Sequence, residues 1–151
     1  MRGLLRLSLQ MPDGRHRAWL PRHRVARWVS LALPGPAEIT VRIVDVAEAR
    51  RLNREFRGKD YATNVLTFDY AREPAVVADI VLCTGVVEHE ARTQGIPLGD
   101  HYAHLVLHGA LHAAGHDHRH AREARRMERL EAELLARLGI ADPYRRSEEP
   151  R

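Results

Sequence analysis

Leu5, Leu7 and Leu9 alternate with Arg6, Ser8 and Gln10, the period-two pattern of a strand with one buried face. The period then lengthens. Val25, Trp28, Val29 and Ala32 recur at helical spacing behind Pro21, which can open a helix, and Pro34-Gly35-Pro36 closes the segment. Alternation returns at Ile39, Val41 and Ile43, a second strand. Asp45 followed by Glu48 has the form of a capping box, predicting a helix from there to about Phe56 and a polar turn over Arg57–Asp60. Asn64–Phe68 and Ala78–Leu82 read as the third and fourth strands. Beyond them the pattern is helical over 84–94, about 99–114 and about 119–138. In the last stretch Met127, Leu130, Leu134 and Leu138 form the apolar stripe, and the Glu and Arg residues predict a solvated face. The order β-α-β-α-β-β followed by helices predicts an α+β protein with a small sheet of about four strands.

Composition narrows the class. A chain of 151 residues is expected to form a single domain, 1–151, with 145–151 as a frayed tail. Hydrophobic content of 44% and charged content of 29% fit an ordinary soluble globular protein, and no apolar run approaches the ~20 residues of a membrane span. MRGLLRLSLQ is too short and too evenly alternating for a signal peptide. Cys83 is the only cysteine, which excludes an internal disulfide and fits a cytoplasmic location. Residues 1–60 hold 13 Lys+Arg against 6 Asp+Glu, whereas 61–151 hold 11 against 14. A basic half can supply a phosphate-binding surface, but on charge alone a solvated arginine-rich face is the simpler account.

The candidate chemistry lies in the histidines, seven of which fall between residues 101 and 120. In HGALHAAGHDH (108–118), His108 and His112 stand four apart, so a helix places them one turn apart on one face. Two such imidazoles can converge on one ion at Zn–N distances of ~2.0–2.1 Å. Gly115 suits a left-handed helix end, after which the chain can reverse and return His118 toward the same ion. Three neutral nitrogen ligands with an open fourth position are the pattern of a catalytic zinc site rather than a closed structural one. The competing account is a histidine-rich helix end: His101, His104, His116 and His120 crowd the same segment, and His104 could compete as a ligand. The pair, the glycine stop, the third histidine and the adjacent Asp117 together favour a metal. Asp117 either orients a ligand ring or caps the turn. Zinc proteases of the H-E-x-x-H class carry a glutamate beside the first histidine as general base; here that position is Gly109.

HGALHAAGHDH resembles the H-G-x-L-H-x-x-G-x-D-H signature of the YbeY family, bacterial rRNA maturation factors described as single-zinc endoribonucleases. LNREFRGKDYATNVLTFDY (52–70), ADIVLC (78–83) and LGIADPY (138–144) are similar to the family's other blocks, in the same order. The chain departs from the pattern at His116, commonly tyrosine, at Ala113 and Ala114, commonly larger aliphatics, and at Ala78, where glycine is frequent.

The resemblance implies a small mixed sheet with the metal helix packed against it, similar to the zincin-like fold, and a metal site at that helix's C-terminal end. It implies one Zn2+ per chain, held by His108, His112 and His118, with His104 and His116 outside the ligand set. It implies a zinc-dependent endoribonuclease, a hydrolase acting in 16S rRNA 3′-end maturation and ribosome quality control. Its partners would be precursor rRNA, the small ribosomal subunit and ribosome-associated proteins.

The resemblance also places a catalytic arginine at Arg57, whose planar fork matches phosphate oxygens and stays charged at working pH. The metal would polarise a phosphate oxygen, lower the pKa of a water, or both, with either that water or the substrate's 2′-hydroxyl as nucleophile. Thr63 and Asn64 are expected to shape the turn before the third strand, and Asp79 to be buried and paired. With aromatic residues at 5%, backbone and shape contacts should dominate RNA binding. The rival readings are a metalloprotease or other metal hydrolase, disfavoured by Gly109, and a non-catalytic ribosome-assembly factor with structural zinc.

Overall fold

A computed structural model describes residues 4–116 and 119–144. It contains a four-stranded sheet, β1 (Leu5–Gln10), β2 (Ala37–Val44), β3 (Val65–Ala71) and β4 (Val76–Cys83), in the spatial order β1-β2-β4-β3. β1, β2 and β4 run parallel, and β3 joins β4 as an antiparallel edge strand. Five α-helices accompany the sheet: α1 (Arg22–Ala32), α2 (Val46–Arg57), α3 (Thr84–Gln94), α4 (Leu98–Ala113) and α5 (Ala121–Arg137). The expected α+β class, mixed sheet and element order are therefore present. The expected frayed tail lies outside the described residues.

The two faces of the sheet differ. Ile39, Val41 and Ile43 of β2 and Ala78, Ile80 and Leu82 of β4 point into the main core, where they meet Val25, Trp28 and Val29 of α1 and Leu107, Ala110 and Leu111 of α4. Met127, Leu134 and Leu135 of α5 close the far side of α4. Each aliphatic side chain buried here contributes about 1.5–3 kcal/mol. On the opposite face Ala49 and Leu52 of α2 pack with Val44, Leu66, Val81 and Cys83. Burial on both faces explains the near-continuous apolar run of β4, VVADIVLC, in place of strict alternation.

Several boundaries are longer or shorter than the residue pattern suggests. β3 and β4 extend each other into a hairpin past Phe68, because Asp69 pairs with Ala78 and Ala71 with Val77 across a register shift at Tyr70, even though the Asp69 and Tyr70 side chains are exposed. A one-turn 3-10 segment at Arg17–Trp19 carries no periodic signal. Asp45 caps α2 by accepting from the Glu48 amide at 2.9 Å, but the Glu48 carboxylate turns to Arg42 Nε at 2.8 Å, so the box is only half formed. The solvated face expected for α5 has one exception: Glu131 is 0% exposed.

α4 seats directly on the sheet at Gly109. A Cβ there would stand 2.9 Å from Ile80 Cγ2 and 3.1 Å from Thr67 Oγ1. The Thr67 hydroxyl donates to the Gly109 carbonyl at 3.4 Å. Gly109→Ala should therefore force helix and sheet apart. Overpacking of this kind costs about 1–3 kcal/mol, against a gain of up to ~1 kcal/mol in helix propensity. Urea unfolding should show a net loss of stability. Unchanged or raised stability would mean that the contact is not tight.

Candidate active site

The C-terminal end of α4 is built by a Schellman motif. Gly115 takes a φ of 106°, its amide donates to the His112 carbonyl at 3.0 Å, and the His116 amide donates to the Leu111 carbonyl at 3.1 Å. The glycine stop expected from the sequence is thus real, and it fixes His112 in the last turn of the helix, with His108 one turn earlier. Both histidines line a cleft of about 250 Å³ between α4 and the edge strand β3. Its other walls are Arg57 and residues 63–67.

Arg57, the last residue of α2, reaches this cleft from the opposite face of the sheet. Gly58, with a φ of 69°, ends α2 behind it. One guanidinium nitrogen, Nη2, donates to the Thr67 carbonyl at 2.6 Å, and Cζ lies 5.6 Å from the centre of the Phe68 ring. Its neighbour Arg50 is engaged differently, by a bidentate pair to Asp60 at 2.8 and 3.0 Å that Arg54 also approaches. Thr63 and Asn64 do more than shape a turn. Asn64 Oδ1 accepts from the Val65 amide at 2.6 Å and opens β3, while both residues line the cleft.

Two carboxylates reach the histidines of α4 from neighbouring helices. Glu90 of α3 bonds His101 Nε2 at 2.8 Å and accepts from Asn64 Nδ2 at 3.0 Å. The His101 and Asn64 bonds hold the Glu90 carboxyl below its ordinary range against a smaller opposing effect of burial. Glu131 of α5 is the larger surprise. Oε1 lies 2.8 Å from His104 Nε2 and accepts from the Tyr144 hydroxyl at 2.8 Å, and Oε2 lies 3.1 Å from His108 Nδ1. Burial pushes the Glu131 carboxyl up, but the bonds to His104 and His108 outweigh it and hold it at about 2.

The cleft therefore brings together Arg57, His108 and His112. His118 and Asp117 lie outside the described residues. Among the described residues, no three His, Cys, Asp or Glu side chains form a group able to hold a metal ion. The donors that are described fit zinc chemistry: two imidazoles one turn apart on one cleft wall, one with its Nδ1 turned to a carboxylate. His104 is engaged by Glu131 and Tyr144 and is not among the cleft residues. Asp79 is half-buried and accepts from the Tyr70 hydroxyl at 2.8 Å, also away from the cleft. Glu131 was missed because the mixed charges of α5 read as one solvated face. The signal was its register: Glu131 falls four residues after Met127 and three before Leu134, on the apolar stripe itself.

Comparison with known proteins agrees over most of the chain. The family model described as Endoribonuclease YbeY matches residues 20–139. A protein of that name from Methylibium petroleiphilum is 62% identical over 143 residues, covering 95% of this chain and 96% of its own. Another from Albidiferax ferrireducens is 60% identical over 129 residues, covering 85% and 87%. The solution structure of TM1509 from Thermotoga maritima superposes with a TM-score of 0.61 at 25% identity, covering 97% and 96%.

The Glu131 network sets a pH dependence. A carboxyl held at about 2 in the fold against 4.5 ordinarily contributes stability that is complete above pH 4.5 and is lost as pH falls toward 2. In metal-free protein, the stability difference between wild type and Glu131→Gln should be largest near neutrality and shrink through that window. A difference that stays constant from neutral pH down to 2 would contradict the assignment.

Proposed function

This chain belongs to the Endoribonuclease YbeY family, and from that premise we propose that it is a zinc-dependent endoribonuclease. Its substrate is precursor rRNA, cut in the maturation of the 16S rRNA 3′ end in the cytoplasm, and it serves in ribosome quality control with the small ribosomal subunit as partner. What supports the reading is the convergence of Arg57, His108 and His112 on one cleft, residues that lie far apart in sequence and come from different layers of the fold. No helix among the described residues is long and apolar enough to cross a membrane.

His108 and His112, with His118, would hold one zinc ion. When bound, such an ion supplies positive charge and Lewis acidity to a phosphodiester. Arg57 supplies a second centre of charge from the facing wall. Its anchor is a neutral carbonyl, so the guanidinium keeps its full charge and its other N–H donors for phosphate oxygens as negative charge builds during cleavage. Asn64 and Thr63 line the floor between the two walls and bound the space a nucleotide can enter.

The protease alternative fails on packing as well as on sequence. The residue beside His108 cannot carry a general base, because even a Cβ at Gly109 meets Ile80 at 2.9 Å. A purely structural zinc is disfavoured because His108 and His112 line an open cleft.

Cleavage of structured rRNA fragments should be lost on chelation and restored by zinc, with no cleavage of a parallel peptide substrate. Restored peptide cleavage, or RNA cleavage indifferent to chelator, sinks the proposal. Elemental analysis should find one zinc per chain, lost in His108→Ala/His112→Ala. Arg57→Lys keeps the charge and loses the fork, so the single-turnover rate should fall ~10²-fold while RNA affinity and zinc content stay nearly unchanged. Arg51→Ala should only weaken binding, less so as salt rises. A wild-type rate in Arg57→Lys would make Arg57 a binding residue.

A further inference from the structure

We propose that Glu131 is a positioning residue for the metal site: it fixes the tautomer and ring angle of His108 so that Nε2 is the nitrogen offered to the ion. The inference rests on the zinc reading of the cleft, and it adds a residue from a helix that contributes no ligand. The geometry is specific. Glu131 is 0% exposed, and its two oxygens divide their work. Oε1 is shared by His104 Nε2 and the Tyr144 hydroxyl, each at 2.8 Å, whereas Oε2 faces His108 Nδ1 at 3.1 Å. An ionised carboxylate only accepts hydrogen bonds. His108 must then carry its proton on Nδ1, which makes Nε2 the basic, metal-competent nitrogen.

The surroundings hold Glu131 in turn. Tyr144 donates to it and stands edge-on to the His104 ring, with centroids 5.5 Å apart. Met127, Leu134 and Leu135 of α5 are buried in the main core alongside it. Removing Glu131 alone leaves the His104, His108 and Tyr144 groups without their shared acceptor, so its loss costs stability as well as position. The role that an apolar residue cannot take over is acceptance of the His108 proton.

That difference supplies the test. Glu131→Met fills the volume and removes both acceptors, Glu131→Gln retains one acceptor, and Tyr144→Phe removes the hydroxyl from Oε1 and from His104 Nε2 while leaving the Oε2–His108 bond in place. Zinc affinity is measured by competition with a chromophoric chelator. The His108 tautomer in metal-free protein is read from long-range 15N–1H NMR at a pH above the ordinary histidine range. Wild type should show the proton on Nδ1. Glu131→Met should fold with a lowered melting temperature, shift the proton to Nε2 and bind zinc about 10–100-fold more weakly. Glu131→Gln should lie between the two, and Tyr144→Phe should match wild type within about threefold. If Glu131→Met unfolds, Glu131→Gln carries the comparison alone. Wild-type zinc affinity in both Glu131 variants, or an Nε2 proton on His108 in wild type, overturns the positioning role while leaving the zinc site standing. Absence of zinc binding in wild type overturns the zinc reading itself, and the positioning role with it.

Discussion

The contact on which the site depends is the approach of α4 to the sheet at Gly109. Helix backbone meets strand side chain there with no room for a methyl group, since a Cβ would stand 2.9 Å from Ile80 Cγ2. Interiors are packed too densely for such an approach to relax locally. The depth at which the helix sits therefore sets the separation between its outer edge and β3. His108 precedes the contact by one residue and His112 follows by three, so both leave the helix beside the line of contact and enter the cleft at its rim. The same closeness removes the position a zinc protease would use for its base. One packing constraint thus shapes the cleft and narrows its chemistry.

Above that contact, α4 is a ladder of histidines along one face. His101, His104 and His108 follow at intervals of three and four residues, with neighbouring ring centres 6.1 and 6.4 Å apart. Two helices supply a carboxylate to one nitrogen of each ring: Glu90 from α3 holds His101 Nε2, and Glu131 from α5 holds His104 Nε2 and His108 Nδ1. Each carboxylate also extends its network beyond the ladder. Glu90 reaches Asn64 on the cleft floor, and Glu131 reaches Tyr144 near the end of the described chain. The helix that carries the proposed ligands is consequently tied by polar bonds to helices on either side of it in the sequence. Each of these bonds is costly to break in a buried setting, which makes the arrangement of the rings definite rather than adaptable.

Much of this was legible in the residues and some was not, for identifiable reasons. Period-two and period-3.6 patterns report burial of one face, so β2, α1, α3 and α4 emerged close to their observed limits. The Gly115 stop was readable because a left-handed turn has a chemical signature. β3 runs further than its residue pattern suggests because its distal end is held by backbone pairing at Asp69 and Ala71, which leaves no trace in hydrophobicity. Glu131 is hard to read because charge ordinarily marks solvent, whereas its register places it on the buried stripe. Asn64 was read as a local turn residue, and its partner Glu90 lies 26 positions away, a separation no local pattern reports.

Arg57 illustrates the remaining gap between sequence and site. Within eight residues α2 offers Arg50, Arg51, Arg54 and Arg57, which composition treats alike. Their partners separate them. Arg50 meets a carboxylate, Asp60, and the pair is electrically neutral toward anything that approaches. Arg57 meets a carbonyl oxygen and an aromatic face, which orient a guanidinium without cancelling its charge. The excess of positive charge in the first 60 residues is therefore not spread evenly over the surface it covers, since part is neutralised where it stands and part is held in place at full strength. For recognition of a phosphodiester the second kind matters more, because a fixed charge that has already been oriented need not be reordered when the substrate arrives. The placement follows from the course of β3, which brings the Thr67 carbonyl and the Phe68 ring to the end of α2.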